Sequence, residues 1–206
     1  MDININILRQ EPQKLTIMKK ILILGGIIFA CINGQSQNTH IGIKGGLNLS
    51  NISSKNNITK YTTGFHVGLL AHIHAGKRFG VQPELLYSAQ GAKYKNLNDY
   101  KIKQDYINLP IMFQYLINDG WRLETGPQAG FLINAKTKNG DVETDIKDNL
   151  DKFDFSWGFG IGYITHSKWG VDARFNLGLT DNSKDNLVEN KNRVFQIGLF
   201  YQFDKR

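Results

Sequence analysis

Charged side chains that recur at every second position of apolar segments are the feature with the clearest chemical consequence. Both signs are present, and all six share one parity within their segments. The set is Lys44, Glu84, Arg122, Glu124, Asp172 and Arg174. Ionised groups inside a protein need partners. We therefore predict a neutralising network if these groups face one interior, with a selectivity lining of a narrow pore as the alternative.

Three histidines share one face of another candidate segment, namely His66, His72 and His74. Imidazoles two residues apart on one face of a strand can bind a metal ion, but this spacing supplies no third ligand. The glycine-rich spans lie inside alternating segments, where small residues make room for bulky neighbours, and are not phosphate loops. The sequence therefore predicts no metal site and no cofactor.

A hydrolytic centre in the wall of the fold is the enzymatic alternative. The sequence has no GxSxG motif and no metalloprotease helix motif. The acid and base candidates Asp105, Asp154 and His166 fall on different segments or at opposite ends of them. Catalysis requires such groups to converge, so we predict that the chain is not an enzyme.

The elements that must position these groups are β-strands. From Phe153 to Tyr163 the odd positions are aromatic residues or isoleucine, and the even ones are Asp, Ser and Gly. A helix would place its apolar residues three and four apart. The same alternation recurs in about eight segments of about 9 to 11 residues or slightly more, the length of a tilted strand that crosses a bilayer.

The connections between these segments alternate in length. Three short links fall at 75–78, 118–120 and 166–168, and four longer polar ones at 51–61, 92–103, 135–152 and 181–192. Outer-membrane barrels combine short periplasmic turns with longer outer loops. The sequence therefore predicts an all-β fold, an eight-stranded antiparallel up-and-down transmembrane β-barrel.

The size of the apolar face determines which side of this barrel is the interior. Eight strands enclose a space only just wide enough for side chains to fill, and the bulky apolar set does not fit there. We expect that set to face lipid, because in water it would exceed the apolar patch that a soluble monomer exposes. Six aromatic residues near predicted strand ends should form interfacial girdles. They are Phe79, Trp121, Trp157, Tyr163, Trp169 and Tyr201.

The N-terminal region has the pattern of a secretory signal. Residues 18–36 contain Lys19 and Lys20, an apolar run of about a dozen residues and small residues before a cleavage point after Ser36. We interpret residues 1–17 as an over-long start and residues 37–206 as the barrel domain. Cleavage would remove Cys31, the only cysteine; lipidation of Cys31 is the alternative.

The formal net charge is +7, yet the sequence has no lysine run, zinc-finger pattern or basic helix. Nucleic acid is therefore not an expected partner. The outer links are rich in Asn, Lys and Asp, so a partner protein of the cell envelope could bind there.

Five stretches carry a resemblance to a known family: GIKGGLNLSN, QPELLYSAQGAKY, DYINLPIMFQY, GPQAGFL and FQIGLFYQF. They resemble the small outer-membrane β-barrel family abundant in Bacteroidetes, sometimes called PorT-like. The resemblance implies an outer-membrane location, outer-membrane lipid as surroundings and an accessory role in secretion or envelope assembly.

The C-terminal run resembles the assembly signal that the outer-membrane insertion machinery reads. Its residues are Gln196, Gly198, Tyr201 and Phe203, and three further residues follow. Taken together, the sequence predicts an integral outer-membrane barrel with a packed polar lumen and a structural or interaction role. A narrow transport pore is the first alternative and a barrel-wall hydrolase the second.

Overall fold

The structure, a computed structural model, describes residues 39–54, 59–94, 100–117, 120–181 and 190–203. The predicted segments 1–17 and 18–36, with Cys31 and the cleavage point after Ser36, lie outside the described residues. No helix in the described part of the chain is long and apolar enough to cross a bilayer.

Eight long strands form one closed antiparallel barrel, with two short strands at one end. The ten are β1 (Thr39–Ser54), β2 (Thr59–Lys60), β3 (Thr62–His74), β4 (Phe79–Tyr94), β5 (Tyr100–Leu116), β6 (Trp121–Asn139), β7 (Val142–Asp145), β8 (Phe153–Ile164), β9 (Trp169–Gly178) and β10 (Asn190–Gln202). Neighbours around the ring are β1, β3, β4, β5, β6, β8, β9 and β10, and β10 pairs with β1. The eight-stranded barrel predicted from the alternation is confirmed.

The short connections all lie at one end of the barrel. They follow β3, β5 and β8, as the sequence predicts. Gly120 has a φ of +89° in the second of them, a conformation that favours glycine. Lys168 adopts a φ of 69° in the third. Strand pairing resumes within a few residues of each turn, where His74 pairs with Gly80, Leu116 with Arg122 and Ile164 with Gly170.

The strands reach further at the opposite end than the sequence predicts. The predicted link over 135–152 instead continues β6 to Asn139, turns at Gly140 (φ +58°) and returns as β7. A β-bulge at Ile133 precedes this hairpin, because Asp105 pairs with Asn134 but Tyr106 pairs with Leu132. An extra residue reverses the side-chain parity of a strand. The polar composition of 135–152 therefore reflects an exposed hairpin rather than an irregular loop.

Because the sequence alternates, the wall of the barrel has an inner and an outer face of different chemistry. Apart from the end of β6 beyond its bulge, even-numbered positions of the barrel strands face inward and the bulky odd-numbered ones are exposed, as Leu47 (69 %) and Ile197 (55 %) illustrate. These side chains form a continuous apolar outer surface. A surface of this kind requires a lipid environment.

Two levels of aromatic side chains bound the apolar surface. The lower level, beside the short turns, includes Trp121, and the upper level includes Phe131 on the same strand. Their separation of ten residues corresponds to about 33 Å along a strand, or about 25 Å once strand tilt is included. That height matches the apolar band of an outer-membrane barrel.

Candidate functional site

The predicted charged residues meet inside the barrel. The guanidinium of Arg174 donates from Nη1 and Nη2 to the two carboxylate oxygens of Glu84 at 3.0 and 2.8 Å, and from Nε to Glu124 at 2.8 Å. The Lys44 ammonium lies 2.6 Å from Asp172 and 3.7 Å from Glu84. All five side chains are buried. Because each charge has an oppositely charged neighbour, the desolvation that burial costs is offset by ion pairing and hydrogen bonding.

These groups come from every second strand of the ring. Lys44 lies on β1, Glu84 on β4, Glu124 on β6, and Asp172 and Arg174 on β9. Strands β4 and β9 are opposite each other in the eight-membered ring, so the Arg174–Glu84 pair crosses the whole lumen. The network therefore ties four separate parts of the wall together at one height.

The carboxylates of the network also receive hydrogen bonds from amides. Gln82 donates to Glu84 at 2.7 Å, and Gln114 donates to Glu124 at 3.1 Å. Apolar side chains fill the remaining space, with Leu86 and Met112 fully buried. The lumen at this level is therefore a packed core rather than a water-filled channel.

Arg122 is the one predicted member that makes no ion pair among the described residues. Its guanidinium lies 5.2 Å above the ring of Phe200 and donates to Gln114 at 3.4 Å. Phe200 is an inward-facing aromatic, and it fits because the facing residue on β9 is Gly170, where a Cβ would overlap the ring. A cation–π contact thus replaces the predicted salt bridge.

A second crossing contact lies nearer the long-connection end. Asn192 on β10 donates to the hydroxyl of Tyr106 on β5 at 3.3 Å, again across opposite strands. Tyr106, Leu132 and Ala135 form a buried cluster, and Ile146 and Leu150 of the 140–152 connection pack against it. This apolar cap closes the upper part of the lumen. Sequence reasoning missed it, because the bulge that turns Ala135 inward has no sequence signature of its own.

The three predicted histidines are divided between two places. His66 pairs through Nδ1 with Asn48 at 2.8 Å inside the lumen. The rings of His72 and His74 lie 4.5 Å apart near the short turns, with His40 5.9 Å from His74. They line a cavity of about 300 Å³ at the barrel end. No group of three or more potential ligands within the described ranges has the arrangement of a metal site.

The hydrolase candidates do not converge. Asp105 faces outward on β5 and accepts a hydrogen bond from Asn134 at 2.9 Å. Asp154 accepts a hydrogen bond from Thr180 at 3.1 Å on β8, and His166 lies in a short turn at the opposite end. The structure therefore places no pair of these three groups within reach of a common substrate atom.

Five of the six predicted girdle aromatics lie at the short-turn end, where they form ring pairs: Phe79 with Tyr115, Trp121 with Tyr163, and Trp169 with Tyr201. Trp157 is the exception, since it lies within β8 between the two aromatic levels. Its indole N–H donates to Thr125 at 2.8 Å. This bond pairs the indole N–H, so the side chain does not have to lie at the membrane–water interface to find a hydrogen-bond partner.

The residues of the predicted assembly signal extend from the middle of β10, at Gln196, to Phe203, the residue that follows the strand. Gln196 and Gly198 face the lumen, while Tyr201 and Phe203 face outward with their rings 5.4 Å apart. The amide of Phe203 donates to the carbonyl of Ile41 at 2.7 Å. This bond extends the pairing of β10 with β1 beyond Gln202 and completes the closure of the barrel.

Comparison with known proteins agrees with this architecture. Residues 34–184 match the family described as outer membrane protein beta-barrel domain. Among solved structures, Neisserial surface protein A is similar with a TM-score of 0.58 at 12% identity, over 79% of this chain and 97% of that one. Ail of Yersinia pestis gives 0.49 at 17% identity, over 81% and 100%. At these identities the first similarity shows the fold alone. No curated protein sequence matches the chain.

Proposed function

The chain belongs to the outer membrane protein β-barrel domain family, and from this premise we propose that it is a sealed barrel that anchors an interaction surface in the outer membrane. The observation that carries the proposal is the Arg174–Glu84 pair, which crosses the lumen between opposite strands. A solute would have to break this buried bidentate pair or displace the buried side chains packed around it, such as Leu86 and Met112.

The composition of the lumen supports the same proposal. The six charged residues comprise three cations and three anions, so their charges cancel without bound counter-ions. Charge rings that select ions in pores carry one sign and face water. A balanced, buried set is better suited to holding the wall of a small barrel in one shape.

The interaction surface in this proposal is the long-connection end, outside the cell. The β6–β7 hairpin extends beyond the barrel there, with Val142 66% exposed at its tip. We propose that an envelope protein partner binds at this end. An accessory role of the PorT-like kind in secretion or envelope assembly is the specific form that the sequence resemblance favours.

Two targeting steps belong to the proposal. The leader 18–36 would direct export and be cleaved near Ser36. The insertion machinery would then read Gln196, Gly198, Tyr201 and Phe203, in the second half of β10 and just after it. The exposed Phe203 side chain beside Tyr201 supports this part of the proposal, because an aromatic on the outer face just after the last strand can contact another protein.

Liposome swelling tests the sealed lumen. We expect liposomes that contain residues 37–206 to swell no faster in isotonic arabinose than protein-free liposomes, because the crossing pairs leave no path for the sugar. An open sixteen-stranded porin at equal molar ratio is the positive control. Arabinose-driven swelling at a rate near that of the porin would contradict the proposal and favour the transport-pore alternative.

A further inference from the structure

The cavity at the short-turn end of the barrel is lined by basic and amide side chains. Its volume is about 300 Å³. The six basic residues in the lining are His40, His72, His74, Arg122, His166 and Lys168, and Gln202 lies among them. The described residues that border the cavity include no Asp and no Glu. The lining therefore suits a ligand that accepts hydrogen bonds and carries negative charge.

Four nitrogen atoms of this lining are buried and make no hydrogen bond within the described part of the chain. They are Nδ1 of His40, Nδ1 of His72, Nε of Arg122 and Nε2 of Gln202. His72, Arg122 and Gln202 are each only 3% exposed. The guanidinium and the amide can only donate at these atoms, and a histidine Nδ1 donates in one of its two tautomers. Buried donors are nearly always paired, so the lining is complementary to a group of acceptor atoms.

The fold brings these groups together from four strand ends. His40 lies at the start of β1, His72 and His74 at the end of β3, Arg122 at the start of β6, and Gln202 at the end of β10. All five share the lumen-facing parity of their strands. Because the strands end at one level beside the short turns, residues that are far apart in sequence face the same cavity.

The charges around the cavity determine the sign and size of the charge that a ligand can carry. Arg122 and Lys168 both repel positive charge on His74, so a metal cation would be repelled here as well. From the side of the ion network, Glu124 and Asp172 attract the same Arg122 guanidinium. Part of its charge is therefore already balanced. A carboxylate with one negative charge fits this field better than a phosphate monoester, which carries about −1.5 to −2 at neutral pH.

Two apolar side chains complete the lining. Leu116 ends β5 and Ile164 ends β8, both on the lumen-facing parity. They favour a ligand that has a hydrocarbon part beside its charged group. A volume of about 300 Å³ is at the lower end of the range for ligand sites. It admits one small molecule or the last residue of a peptide chain.

We propose that this cavity binds the carboxylate of an apolar acid, with the carboxylate at Arg122 and His72 and the hydrocarbon part against Leu116 and Ile164. A free small acid and the C-terminal residue of a peptide present the same chemistry. With the long connections outside the cell, as in the proposed function, the cavity faces the periplasm. The proposal does not depend on whether the lumen conducts.

Histidine NMR of residues 37–206 in detergent micelles tests this site, since micelles leave both ends of the barrel accessible. The probes are 3-methylbutanoate and N-acetylated alanyl-alanyl-leucine, each compared with its own amide. We expect saturable shifts in the ring signals of His40, His72 and His74, with a Kd of about 1 mM or below. His66 lies among the buried lumen residues and should not shift. The uncharged amides should bind at least tenfold more weakly.

Arg122→Gln should weaken the carboxylate by about tenfold or more, because it removes the buried cation. His40→Ala changes a half-buried residue at the edge of the barrel and should weaken it by about two- to tenfold. Arg78→Gln is the matched control. It removes the same charge from an exposed turn position at the same end, outside the cavity, and should bind like the wild type. Heat-modifiable gel mobility establishes that each variant is folded before the titration.

The relative affinities of the two acids identify the source of the carboxylate, and either order supports the site. Four results would overturn the proposal: no shift of the three histidine signals, equal binding of an acid and its amide, an equal loss in Arg78→Gln, or tenfold tighter binding of inorganic phosphate. The last result would identify a phosphate site instead. None of these four results bears on conductance, so a failure here is distinct from a failure of the sealed lumen.

Discussion

Arg174→Met is expected to lower the free energy of unfolding by about 3–5 kcal/mol, because it leaves the buried Glu124 carboxylate without an ion pair and Glu84 with only the longer contact to Lys44. Glu84 and Glu124 both accept hydrogen bonds from this guanidinium, and all three side chains are buried. Methionine has nearly the volume of arginine, so the loss of unfolding free energy reflects the missing charge rather than a cavity. The measurement is equilibrium unfolding in guanidinium chloride of protein folded into short-chain phosphatidylcholine vesicles.

Two further variants separate the ion pair from other effects of the substitution. Glu84→Gln/Arg174→Met should recover part of the loss, because one of the two carboxylates that lose the guanidinium becomes neutral. Glu143→Gln removes an exposed carboxylate near two lysines and should leave the unfolding midpoint unchanged. A loss below about 1 kcal/mol for Arg174→Met would mean that water or ions reach the network, which contradicts a packed lumen.

Ile197→Arg is expected to cost about 2–4 kcal/mol, because it places a charge on the lipid face near the middle of the apolar band. Ile197 faces Leu47 and Ala173 in register, four residues above the lower aromatic Tyr201 on the same strand. Equilibrium unfolding in the same vesicles measures this loss of unfolding free energy.

Val142→Arg is the matched control for this substitution. Both residues are exposed apolar side chains, at 55% for Ile197 and 66% for Val142, but Val142 lies on the hairpin outside the membrane. We expect the control to change the free energy of unfolding by no more than about 0–1 kcal/mol. Equal effects of the two substitutions would contradict a lipid-facing outer surface, since arginine is tolerated equally at two water-exposed positions.

Alternation at period two made the fold predictable from sequence. In β8 every odd position from Phe153 to Tyr163 is bulky and apolar, and the even ones are small or polar. A lipid-facing strand requires this strict pattern, because a shift of register by one residue would point its polar side chains toward the acyl chains of the lipid. The alternating link lengths then fixed which ends of the strands meet in short turns.

The contacts inside the lumen were less predictable. Parity placed Arg174 and Glu84 on the inner face but could not show that they pair across the barrel, because that depends on the stagger between strands. Arg122 was expected to join the network, yet it stacks on Phe200 because Gly170 leaves room for the ring. Trp157 was expected at an interface, but Thr125 satisfies its N–H within the apolar band.

Features near the long connections escaped prediction for a different reason. The bulge at Ile133 reverses the side-chain parity of β6, and the residue types around it do not predict a bulge. As a consequence, Ala135 faces inward in the apolar cap and Lys138 faces outward.

Single-channel recording in planar bilayers tests the sealed lumen most directly. With purified residues 37–206 in 1 M KCl, the crossing Arg174–Glu84 and Asn192–Tyr106 contacts predict a baseline without steady conductance steps across the voltage range. A reproducible, long-lived open state carried by the folded protein would contradict the account, because ions would then be passing through a space that these side chains are said to fill.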